Sequence, residues 1–273
     1  MTVPNGALLE CYQAVDRAIG DIMQIGLDGK TVLVVFSVHG MGENRSQEHF
    51  TRAIMDRINE RFAARVGNHV LATATSRPRS VMRVLRERLP ARLQHAIGRA
   101  VPLGVRDAVV NRAFTSGYNW AQTPGLAILA SVTGFLRFNL RGREKAGMLE
   151  PGSELHRSYV RWVQEAFHSC RITDTGEALV NEVTLTSEEF AGERSVYLPD
   201  AVVSWADRRP VSRINSDELG AISFKPPTGR GGNHRPEGFA IVIDPQRERG
   251  GQVAQGDIVD LVPMVWRLLN RPT

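Results

Sequence analysis

Apolar positions recur at helical spacing from the start of the chain. Leu8, Tyr12, Val15, Ile19, Ile22 and Met23 mark one stripe, which predicts an amphipathic helix over residues 7–25 with that stripe buried. Gly26 and then Asp28-Gly29 stop it. Five apolar residues in succession follow at 32–36, three of them β-branched, which is too short a run for a helix. It predicts a strand buried on both faces, as in a parallel sheet covered by helices. The pattern turns helical again over 47–66, and helix, strand, loop, helix in that order points to a parallel sheet with helices packed on it.

From 76 to about 116 the spacing stays helical, broken at Pro90 and Pro102, and reads as a helical insert in one domain that spans 1–273. Two strands joined by a turn at Thr133-Gly134 are expected at 126–129 and 135–139. Pro151-Gly152-Ser153 opens a helix to about 171, with Ser153 as its N-cap. Strands at 179–185, 201–205 and 239–243, a short helical turn at 187–190 and a helix over 258–269 complete the pattern. The fold class expected is α/β, a three-layer α/β/α sandwich with a mostly parallel sheet.

Composition changes this picture little. An apolar fraction of 42% and a charged fraction of 23% suit a globular chain able to bury a real core. No apolar run is long enough to span a bilayer and no export signal opens the chain, so a cytoplasmic protein without a membrane partner is expected. Cys11 and Cys170 fit no metal-binding spacing and read as reduced, inert thiols. The net charge of +5 is carried by arginine far more than by lysine. Its densest stretch, 77–99, has apolar residues at helical spacing and no aromatic interleaving, so a solvated helical surface is expected rather than a nucleic-acid site.

Candidate chemistry gathers at two histidines. His39 follows the strand at 32–36 and precedes Gly40-Met41-Gly42, which allow close approach of a ligand. His234 lies in a glycine-rich loop directly before the strand at 239–243, flanked by Arg230 and Arg235, whose charge suits an anion. Asn44, Arg230 and Arg235 are the candidate substrate contacts. Glu43, Asn44 and His49 are close enough to His39 to serve as substitute ligands.

These segments resemble a known family. FSVHGMGEN at 36–44 is similar to the SDHGM segment of the alkaline phosphatase superfamily, in its phosphodiesterase/nucleotide pyrophosphatase branch. LECYQAVDRAIGDIM at 9–23, FLRFNLRGREKAGML at 135–149, LPDAVVSW at 198–205, GNHRPEGFAIV at 232–242 and GDIVDLVPMVWRLL at 256–269 resemble further family segments in the same order. The resemblance implies two divalent metals, commonly zinc, with His39 on one and His234 on the other. It implies hydrolysis of a small anionic phosphoester or sulfate ester. Where the family has aspartate before its first histidine this chain has Val38, which cannot ligate a metal. The family's nucleophile and remaining ligands lie upstream of the helix matched by 9–23, so the chain resembles the carboxyl-terminal half of the family fold, and no catalytic residue can be assigned. A sheet lacking its first strands implies an upstream polypeptide or a homo-oligomer covering the open edge. The alternative is a non-catalytic relative that binds an anionic ligand or a protein partner.

Overall fold

The helical spacing of the first stripe is realised in α1 (Ala7–Gly26), but the stripe lies open, with Leu8 and Tyr12 exposed by 68% and 66%. The computed structural model describes residues 6–26, 31–66, 120–128, 130, 132–224, 231–245, 251 and 255–270. The insert expected over 76–116 and the basic stretch 77–99 lie outside the described residues.

After α1 come β1 (Leu33–Ser37), β2 (Gly40–Glu43), α2 (Thr51–Val66), β3 (Gly125–Ile128), β4 (Gly134–Phe138) and α3 (Glu154–His168). Then follow β5 (Arg171–Ile172), β6 (Val180–Leu185), α4 (Thr186–Glu189), β7 (Ala201–Trp205), β8 (Arg213–Asn215) and β9 (Ile222–Ser223). The chain continues with β10 (Gly232–Arg235), β11 (Phe239–Ile243) and α5 (Leu261–Leu269). The residues form two compact units, one of Met1–Glu43 with Gly229–Thr273 and the other of Asn44–Thr228.

The expected parallel sandwich is not what the chain forms. Every ladder between these strands is antiparallel, in sheets of only two to four strands. The run at 32–36 misled because an unbroken apolar run sets neither the direction of the neighbouring strand nor the covering of both faces. Its partner is β11, and Phe36 is 50% exposed rather than covered on both faces.

In the second unit, the four strands lie in the order β3-β4-β7-β6, and β5-β8-β9 form a second sheet. The α2 and α3 helices pack on the larger sheet and on each other. Phe50, Ile54, Met55 and Ile58 meet Leu136, Tyr159, Val163 and Phe167 in a core where each is fully buried. Burial of each such side chain contributes about 1.5–3 kcal/mol. The Tyr159 hydroxyl donates to Asn59 Oδ1 at 2.6 Å, and Asn59 Nδ2 donates to the Gly125 carbonyl at 2.8 Å, so both polar groups are satisfied inside that core. Ser153 caps α3 by accepting from the His156 N–H at 3.1 Å. Cys170 is buried, and burial pushes its thiol up to about 12, which keeps it unreactive, whereas Cys11 is exposed.

The segment 139–147 is held by its own polar groups. Asn139 is fully buried, and its Nδ2 reaches the carbonyls of Trp120, Thr123 and Ala146. Arg143 grips Asp200 with two hydrogen bonds of 2.6 and 2.7 Å and also donates to Glu144 Oε1 at 3.0 Å. Arg137 donates to the same Glu144 oxygen at 2.7 Å. Asp200 Oδ2 in turn accepts the Phe138 N–H at 2.6 Å. These side chains are only 16–23% exposed, so each charge depends on its partners.

Arg143→Ala is expected to lower the unfolding free energy by about 2–4 kcal/mol, because it strands the Asp200 carboxylate, and urea denaturation would read it. Acid sensitivity should come in part from His49, whose Nε2–H donates to the Val211 carbonyl oxygen at 2.9 Å. Burial lowers its pKa from 6.5, outweighing that hydrogen bond. The folded state therefore takes up a proton less readily than the unfolded chain. His49 contributes fully above pH 6.5 and its contribution falls as the pH drops toward the lowered folded value, so His49→Gln should lessen the fall of urea midpoints below about pH 6.5.

Candidate functional site

Two ladders of the first unit meet at a corner. Ser37 pairs with Phe239 at the end of β1–β11, and Gly40 pairs with Arg235 at the end of β2–β10. Between them stand two residues on one strand, Val38 and His39, and three on the other, Pro236, Glu237 and Gly238. One extra residue on one side bends an antiparallel ribbon as a bulge does. The bend needs close backbone approach. A Cβ at Gly40 would collide with the Glu237 carbonyl oxygen, and one at Gly238 with the Ser37 carbonyl oxygen. The glycines of the HGMG segment thus admit a strand, where the sequence suggested room for a ligand. The Ser37 hydroxyl fixes the turn by donating to the His39 carbonyl at 2.6 Å.

At this corner His39 and His234 come together. Their Nδ1 atoms are 3.2 Å apart, the ring centroids 4.2 Å apart, and the planes cross at 64°. Both side chains are exposed. Left to themselves, the rings share one hydrogen bond, which requires one Nδ1 protonated and the other bare. With both Nδ1 atoms bare the pair becomes a chelate. Two nitrogens about 2.0–2.1 Å from a tetrahedral zinc stand about 3.3 Å apart, so the observed spacing matches one edge of a single site. The resemblance had implied one histidine on each of two ions. The donors fit zinc, but they fill two positions of four, and no group of three or more metal-ligating side chains occurs among the described residues.

The other candidates are distributed differently. Strand alternation puts Arg235 on the opposite face of β10 from His234, and its side chain lies along Gly42. Arg230 lies outside the described residues. Asn44 belongs to the second unit, where its Oδ1 accepts the Ser46 N–H at 3.1 Å. His49 also belongs there, its ring set against Phe50 with centroids 4.4 Å apart. Glu43 ends β2, two residues from Met41, which pairs with His234. Sequence reasoning missed β10 itself; the alternation in GNHR is too short to announce a strand.

Comparison with protein-family models, with curated proteins and with solved structures found no match. No helix among the described residues is long and apolar enough to cross a membrane.

Gly238→Ala should open the corner and part the rings. Nuclear Overhauser contacts between the His39 and His234 ring protons are expected in the wild-type chain and should vanish in this variant.

Proposed function

We propose that His39 and His234 form a divalent-metal site suited to zinc. On this reading the chain is the metal-binding part of a phosphoester or sulfate-ester hydrolase of the kind its SVHGMGEN and GNHRPEG segments resemble. The observation that carries the reading is one distance: ring nitrogens from residues 195 apart in sequence stand 3.2 Å from each other. Exposed imidazoles gain little by meeting unless something binds both, and a bare Nδ1 pair at that spacing is a preformed chelate. A metal held there would polarise a phosphoryl or sulfuryl oxygen and lower the pKa of a bound water. The chain's own part is positional. The corner fixes both rings, the Ser37 hydroxyl holds the His39 backbone, and Val38 adds no donor.

The two-donor set favours a second reading, in which the metal keeps open positions and takes a phosphate or sulfate oxygen without cleaving the ester. The ligand count among the described residues supports it.

Metal analysis of the purified chain, paired with turnover of bis-p-nitrophenyl phosphate, separates the outcomes. Zinc should bind, and His39→Ala or His234→Ala should each weaken it by roughly tenfold or more. Acidification should release it, since protons compete for the ring nitrogens. Zinc-dependent turnover supports the hydrolase, and phosphate binding without turnover supports the second reading. A wild-type chain that holds no zinc ends both.

A further inference from the structure

The second unit carries a cleft that the histidine pair does not explain. It lies between the outer face of α3 and the segment that runs from Leu185 through α4 to Asp200, and its volume is about 490 Å³. That is the size of small-molecule sites, which range over about 300–1,000 Å³.

Helix periodicity builds one wall. Tyr159, Trp162, Val163, Ala166 and Phe167 face the core, so His156, Arg157, Val160, Arg161 and Gln164 face the cleft. The polar groups offered there are mostly donors. Arg157 is partly engaged with Glu154 at 3.1 Å, while Arg161 is exposed and makes no ion pair among the described residues. His156 accepts the Gly152 N–H on Nδ1 at 3.1 Å, which leaves Nε2 to carry the ring proton when the imidazole is neutral. Burial, with some contribution from Arg143 and Arg157, lowers its pKa and favours that neutral form. Across the cleft stand Thr186, Ser187 and Ser195, each of which carries a hydroxyl. Thr186 Oγ1 is buried and has no hydrogen-bond partner among the described residues, an unspent bonding capacity that native structures rarely leave. Two carboxylates also line the cleft. Asp200 is locked by Arg143, and Glu188 is exposed, so three guanidiniums face two carboxylates. Phe138, Leu140, Leu185 and Pro199 give the cleft an apolar side.

We propose that this cleft binds a small phosphate monoester with an apolar or aromatic body. The phosphoryl group would lie against Arg161 and the hydroxyls, and the body against the apolar side. A carboxylate offers two oxygens to this donor set, and a phosphoryl group offers three with more charge. Its lining includes neither His39 nor His234, and the proposal does not rest on the metal reading.

Isothermal titration of the full chain with phenyl phosphate tests it, with benzoate and inorganic phosphate as comparison ligands. Phenyl phosphate should bind saturably, and each comparison ligand should bind roughly tenfold or more weakly. Arg161→Ala should weaken binding by about tenfold or more without lowering the unfolding temperature. Thr186→Val should weaken it several-fold while the fold holds or gains stability. Arg213→Ala, which removes an exposed guanidinium on β8 outside the lining, should leave binding unchanged. The His39→Ala/His234→Ala chain in chelator should bind like wild type. The proposal is overturned by absence of saturable binding, by equal losses in Arg161→Ala and Arg213→Ala, by benzoate binding as tightly as phenyl phosphate, or by loss of binding in the histidine double variant.

Discussion

A mismatch of one residue governs the candidate site. Two residues on one strand of the bent ribbon face three on the other, and an antiparallel pair can absorb that difference only by turning. The turn is sharp enough that side chains at Gly40 and Gly238 could not be accommodated. His39 sits inside the bend and His234 one residue before its far side, so the same backbone constraint sets the distance between the rings. A metal bound there would add its own binding energy to a corner whose exposed apolar neighbours, Val38 and Met41, contribute little burial.

The second unit is stabilised differently. Its apolar core is ordinary, but the segment 139–147 is fixed by charge and amide chemistry under low exposure. The Arg137–Glu144–Arg143–Asp200 network joins β4, the following turn and the start of β7. Such a network does not have to be stabilising relative to an apolar replacement; what it does is make each member indispensable to the others. This accounts for an N-x-x-G-R-E pattern that, in sequence, looks as much like chemistry as like structure. The arginines and the carboxylates are spent on one another, and the same Arg143–Asp200 pair forms part of the cleft wall.

The two sites would use different chemistry. The histidine corner offers two imidazole nitrogens in the open. The cleft offers cationic and hydroxyl donors beside an apolar surface, which suits an organic anion without a metal.

Local elements were legible because their causes are local. Ser153 announces the start of α3, apolar spacing gives the helices at 7–26 and 154–168, and β-branched runs give 201–205 and 239–243 as strands. The two histidines could also be singled out, by their glycine-rich surroundings. Strand direction and partner could not be read, because alternation is identical in parallel and antiparallel pairs and the partner of β1 lies some two hundred residues on. Short strands such as β10, and the cleft formed by four separated segments, have no signature in any one stretch. The sequence by itself determined the longer helices and strands and the charged positions. Only the tertiary structure decided that His39 meets His234, because register is a property of two strands together and a bulge exists only once both are paired.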